Sequence, residues 1–130
     1  IFDVDGTLAQ MNGRNPYDYD KVHTDIINEP IVILNRALCP GFKIIILSGR
    51  DSDCENVTRK WMIKNGIYFD LLLMRKAGDR RPDEIVKKEL YEQNIKDKYN
   101  IITVFDDRDK VVDMWRSIGL SCCQVNYGAF

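Results

Sequence analysis

The sequence predicts a doubly wound α/β domain: a mostly parallel sheet flanked by helices, with no large cap domain. Three observations lead there. Short apolar runs alternate with helical patterns along the whole chain. Several of the runs are nearly continuous in Ile, Leu and Val, as strands covered on both faces require. The residues at the ends of the runs are acids, a hydroxyl and arginines, and ligands of such sheets bind at the carboxyl ends of the strands.

The strand-like runs are Ile1–Asp3, Lys43–Ser48, Phe69–Met74, Ile101–Asp106 and Cys122–Val125. After the first, the polar, turn-rich stretch from Ala9 to Asp20 predicts a loop or short flap. Ile31, Leu34 and Leu38 define one face of a first helix that stops at Pro40-Gly41. Val57 and Trp61 mark a second, ending at Asn65-Gly66. Pro82-Asp83-Glu84 opens a third, since proline and acids suit a helix N-terminus, with Val86 and Leu90 inward. Val111, Trp115 and Ile118 mark a fourth, closed by Gly119. Trp61 and Trp115 fall on apolar faces, so core packing is expected of both.

With 130 residues, 45% of them hydrophobic, the chain can bury one core, and residues 1–130 read as a single domain. A net charge of −1 argues against a broadly basic surface that coats nucleic acid, while leaving room for local arginines. The four cysteines, Cys39, Cys54, Cys122 and Cys123, show no CxxC spacing, so reduced thiols in a cytoplasmic protein are expected. No apolar run reaches the ~18 residues of a membrane span, and no signal peptide is seen. The chain starts at Ile1 in mid-run, which leads us to expect a preceding segment.

The strand ends supply the chemistry: Asp3-Val4-Asp5-Gly6-Thr7, Ser48-Gly49-Arg50, Arg75 and Asp106-Asp107. Asp3 and Asp5 straddle one residue as the chain leaves its strand, and Gly6 lets the backbone turn sharply. Carboxylates converging with Asp106 repel one another, and Mg²⁺ suits such an all-oxygen site. The competing reading is an acidic capping turn. For Arg14, Arg50 and Arg75 the functional reading is phosphate positioning by forked donors, against solvated or ion-paired surface residues. Asp79 could orient Arg75 or Lys87, or cap a helix. His23, the one histidine, has no partner pattern and reads as structural.

These residues carry a resemblance. Asp3-Val4-Asp5-Gly6-Thr7 resembles the DxDGT signature of haloacid dehalogenase superfamily phosphatases, with Ser48, Lys87 and Asp106-Asp107 resembling its later motifs in the right order. Met11-Asn12-Gly13-Arg14, Ser48-Gly49-Arg50, Arg75 with Gly78-Asp79, and Asp106 through Arg116 look more particularly like the 3′-phosphatase domain of bacteriophage polynucleotide kinase/phosphatase. The segment after Arg50 reads as shorter than in the phage domain.

The resemblance implies a Mg²⁺-dependent phosphoric monoester hydrolase that removes 3′-phosphates from DNA or RNA ends in a bacterial or phage-infected cell. It implies Asp3 as nucleophile and Asp5 as acid and base. Ser48 and Lys87 would hold the phosphoryl oxygens. Thr7, Arg14, Gly49, Arg50 and Arg75 would serve substrate binding. Asp3, Asp5, Asp106 and Asp107 would form the metal site, with Asp107 either a ligand or an orienting group. Sequence alone does not separate Lys87 from Lys88; the resemblance selects Lys87. No G-x-x-x-x-G-K-[ST] phosphate loop occurs here, although a kinase domain could precede Ile1. Neither the stretch after the first strand nor that before Lys87 has the length of a folded cap, so an open site that admits a polymer end is expected. The other readings are an uncapped phosphatase for a small molecule or nucleotide, and a non-catalytic phosphate-binding domain.

Overall fold

The structure is a computed structural model and describes residues 1–130. In chain order the elements are β1 (Ala9–Gln10), β2 (Ile26–Ile27), α1 (Glu29–Leu38), β3 (Ile45–Asp51), α2 (Glu55–Lys64), β4 (Leu71–Arg75), α3 (Asp83–Asn94), β5 (Val104–Asp106), α4 (Asp109–Ser117) and β6 (Cys122–Gln124). Short 3₁₀ turns cover Tyr19–Thr24 and Ser52–Cys54.

The centre of the sheet is the residue pair that the sequence reads as its first strand. Phe2 bridges β3 on one side and β5 on the other, both in parallel. Its N–H donates to the Ile45 carbonyl at 2.8 Å, and the Leu47 N–H returns to its carbonyl at 3.0 Å. On the other side Phe105 donates to Ile1 at 2.9 Å and Asp3 donates to Phe105 at 3.0 Å. The segment therefore does the work of a strand, though its pairing is too short to be a ladder of its own. With β3–β4 and β5–β6 also parallel, the spatial order is β4, β3, Ile1–Asp3, β5, β6. Phe2 and Phe105 stack with ring centroids 4.6 Å apart, which ties the central pair together.

Both faces of this sheet are covered, as an all-parallel sheet requires. Alternation along β3 divides the core: Ile46 joins Phe2, Val4, Val32, Trp61 and Met62 on one face, while Ile45 and Leu47 join Val104, Val111 and Trp115 on the other. Cys122 is buried and Cys123 exposed for the same period-2 reason. All four cysteines are free thiols. No helix is long and apolar enough to cross a membrane.

Two sequence expectations change. The inner face of α1 is Ile31, Val32 and Asn35, whereas Leu34 is 40% exposed. Asn35 is buried because it replaces a backbone partner: its side chain donates to the Tyr68 carbonyl at 2.9 Å and accepts the Tyr68 N–H at 2.8 Å. The strand expected to end at Ser48 runs on to Asp51, with a register shift between Ser48 and Asp51 against β4. Gly49 and Arg50 thus lie in an irregular strand end, and such irregularities re-aim side chains. The flap after Leu8 is real: β1 pairs antiparallel with β2 and encloses the intervening residues. Residues 1–130 contain no cap domain.

Candidate active site

The site stands at the carboxyl edge of the sheet. Asp3 ends the central segment, Asp106 ends β5 and Asp107 follows it, all buried. One carboxylate oxygen from each lies within 4.8 Å of the others. Lys87, buried in α3, reaches the group from the side: its Nζ donates to Asp3 Oδ1 at 2.8 Å and to Asp106 Oδ2 at 2.9 Å. Thr7 Oγ1 donates to Asp3 Oδ2 at 3.2 Å, and Trp115 Nε1 donates to Asp106 Oδ2 at 3.3 Å. The Asp107 N–H donates to Asp106 Oδ1 at 2.9 Å.

Gly6 explains why the turn after Asp5 needs glycine twice over. Its φ is +81°, and a Cβ there would fall 2.1 Å from Asp107 Oδ2. The missing side chain is what lets the first loop lie against the Asp107 carboxylate.

Electrostatics are those of a site short of positive charge. Burial, with repulsion from Asp106 and Asp107, raises the Asp3 carboxyl well above the usual carboxylate range against the pull of Lys87. Burial and then Asp106 push Asp107 up to about 6. For Lys87 burial opposes the charge, yet Asp106 and Asp3 outweigh it and lift its pKa above the ordinary lysine value. Three buried carboxylates face one ammonium, a deficit that a hard divalent cation would meet with oxygen ligands alone.

Asp5 does not join that cluster. Its carboxylate turns to two arginines: Arg50 donates to it from Nε at 3.0 Å and Nη2 at 2.8 Å, and Arg14 from Nη2 at 3.2 Å. Both arginines also grip Asp25, a residue the sequence reading missed. Arg14 donates to Asp25 at 2.7 and 2.8 Å, Arg50 at 2.7 Å. The side chains of Arg50 and Asp25 are fully buried. Trp61 Nε1 donates to the Asp25 carbonyl at 2.8 Å, and Arg50 Nη1 to Thr58 Oγ1 at 3.1 Å. Asp5 is thus fixed by a buried frame, leaving its side chain 37% exposed.

The remaining predicted residues are placed as follows. Ser48 is buried, and its Oγ accepts the Arg50 N–H at 3.1 Å. Arg75 donates to the Gly49 carbonyl at 2.8 Å and pairs with Asp83, which Arg108 also meets at 3.1 Å. A Cβ on Gly49 would lie 2.5 Å from Asp83 Oδ1. Asp79 holds Arg75 through its carbonyl, while its carboxylate pairs with Arg81, which lowers its pKa to about 2. His23 is exposed, with its ring against the Asp20 carbonyl. Asp3, Asp5, Asp106, Asp107 and Lys87 all line one cavity of about 1110 Å³, together with Arg50 and Arg75. Asp25, Asp83, Arg108 and Trp115 join the site's frame without having been singled out for it from sequence.

Fold and site together define a haloacid dehalogenase-like phosphatase domain without a cap. Over residues 1–130 the chain matches the family described as "Polynucleotide kinase PNKP phosphatase domain", and it belongs to that family. It is similar to a "Putative bifunctional polynucleotide kinase/RNA ligase" of Autographa californica nuclear polyhedrosis virus, with 38% identity over 125 residues, or 91% of this chain. Two solved structures, "Structure of Pnkp1/Rnl/Hen1 complex" and "Structure of the Pnkp1/Rnl/Hen1 RNA repair complex", each superpose with a TM-score of 0.96 at 44% identity over 99% of this chain. The chain spans 18% of the viral relative and 46% and 42% of the two solved chains.

Proposed function

We propose that the chain removes terminal 3′-phosphates from DNA or RNA through a phosphoryl-enzyme intermediate on Asp3. The observation that supports this most is the open cavity itself. The buried Asp3 carboxylate stands at one wall with Lys87 beside it, and the cavity has more room than a lone phosphate needs.

In the first half-reaction an Asp3 carboxylate oxygen attacks phosphorus, and the bond to the sugar 3′-oxygen breaks as Asp5 gives that oxygen a proton. Asp5 suits the task, because Arg14 and Arg50 fix its position while its side chain stays open to the cavity. In the second, water attacks the phosphorus of the aspartyl-phosphate, Asp5 takes the proton, and Asp3 is restored as phosphate departs. Lys87 offsets the charge that gathers on the phosphoryl oxygens. Asp3, Asp106 and Asp107 would hold Mg²⁺, which supplies further charge neutralisation at those oxygens. Asp5 would contribute to that site through its backbone region, since its carboxylate lies against Arg14 and Arg50 and outside the group formed by Asp3, Asp106 and Asp107. Ser48 and Thr7 serve through the strand end and through Asp3 respectively.

The names of the relatives join kinase, ligase and repair activities. We therefore take residues 1–130 as the phosphatase module of a longer nucleic-acid end-repair protein, with a kinase domain as its expected neighbour. Asp3→Asn is the direct test of the chemistry. The variant should fold, since Lys87 can still donate to the amide oxygen and the Thr7 hydroxyl can turn to accept from the amide nitrogen, yet release no phosphate and carry no label from a 3′-phosphorylated substrate. Substantial turnover in that variant would overturn the assignment.

A further inference from the structure

The cavity has a mouth that the chemistry above does not use. Five arginines line the cavity, and four of them are committed to carboxylates: Arg50 to Asp5 and Asp25, Arg75 and Arg108 to Asp83, and Arg81 to Asp79 and Glu89. Arg80 alone has no ion-pair partner, and it is exposed. A substrate phosphate can therefore meet Arg80 without breaking an existing ion pair.

Two aromatic side chains face the same cavity in a way that packing does not explain. Tyr17 is 83% exposed and Tyr127 is 98% exposed. Both sit on anchored backbone. The loop carrying Tyr17 is tied down by Arg14, whose Nη1 donates to the carbonyls of Asn15 at 3.3 Å and Pro16 at 3.2 Å. Tyr127 precedes Gly128, whose carbonyl accepts the Asp109 N–H at 2.9 Å. A Cβ on Gly128 would fall 2.0 Å from the Asp107 carbonyl, so only glycine lets the chain pass this close. Exposed tyrosines on fixed backbone offer stacking faces at low ordering cost, and stacking with a nearby cation is how single strands are held without reading sequence.

We propose that Tyr17, Tyr127 and Arg80 form a subsite for the nucleotides immediately upstream of the terminal 3′-phosphate. The tyrosines stack on bases, and Arg80 meets an internucleotide phosphate. The subsite rests on the polynucleotide reading above and adds to it a single-stranded end, held by a few local contacts.

The test compares kcat/KM for an aryl phosphate, a 3′-phosphorylated trinucleotide, and the same trinucleotide with its upstream bases removed. The full-length protein is used with Mg²⁺, as wild type and as Tyr17→Leu, Tyr127→Leu, Tyr127→Phe and Arg80→Gln. The ratio of trinucleotide to aryl phosphate should fall on the order of 5- to 100-fold in each leucine variant, the range expected of one lost base stack. Tyr127→Phe should retain it. The base-free trinucleotide should be insensitive to the leucine changes but still sensitive to Arg80→Gln. Arg80→Gln should also flatten the salt dependence by about 0.7 in log–log slope. Unchanged ratios in a wild-type enzyme that prefers the trinucleotide would overturn the subsite alone. A wild type that cleaves the aryl phosphate but not the trinucleotide would overturn the polynucleotide reading and the subsite with it.

Discussion

At the scale of single residues, position in a short sequence motif was legible and partnership was not. The acids at the strand ends could be read off because each follows an apolar run directly, as Asp3 and Asp106 do. Lys87 could be separated from Lys88 only by resemblance, since both stand in one helical stretch; in the structure Lys87 is buried and Lys88 pairs with Glu92 on the surface. The arginines were read as phosphate donors, yet Arg14 and Arg50 spend their forks on Asp5 and Asp25. Such pairing joins residues 11, 25 and 45 apart in sequence, which no local pattern encodes. It follows that Asp5→Asn should leave the frame standing and slow both half-reactions by on the order of 10²–10⁴-fold. Steady-state rates on an oligonucleotide and on an aryl phosphate check this. The loss should shrink on the aryl phosphate, whose leaving group needs little protonation, and an equal loss on both would contradict the acid/base role.

At the scale of elements, strand and helix order followed from the apolar pattern, and the deviations trace to polar groups inside. Leu34 reads as inward on α1 because periodicity counts apolar residues, whereas the buried position is taken by Asn35, which pairs with the Tyr68 backbone. The extension of β3 to Asp51 is hidden because the register shift lies between Ser48 and Asp51, and Ser48, Gly49 and Asp51 do not read as strand formers. Asp25 had one available signal: an acid directly before the apolar pair Ile26-Ile27, where β2 returns to the core edge. Its carboxylate joins the flap, through Arg14, to β3, through Arg50. Removing one partner of a buried ion pair leaves the others uncompensated, so Asp25→Ala should cost about 3–5 kcal/mol. Denaturant unfolding measures this, and a loss below about 1 kcal/mol, the range of exposed pairs, would show that the frame is not structural.

At the scale of the whole molecule, the charge inventory is decisive. A chain of net charge −1 cannot hold a polyanion by its overall field, so any grip on nucleic acid is local to the cavity. Inside the site the excess of negative charge is sharper still, with three buried carboxylates to one lysine. Chelation should therefore abolish activity and Mg²⁺ should restore it, with Asp106→Ala raising the metal concentration needed or ending turnover. Full activity in chelator would rule out the metal site. The fold places these two demands at one edge of the sheet, and the absence of a cap leaves that edge open to a strand end.

The central claim is that a phosphoryl group is taken from the 3′ end of a polynucleotide. The most direct measurement is product analysis on matched oligonucleotides carrying a single phosphate at the 3′ or the 5′ end, incubated with Mg²⁺. The account predicts inorganic phosphate and a 3′-hydroxyl product from the first, with the second left intact. Equal release from both ends would contradict it, as would release from neither while a small phosphate ester is hydrolysed.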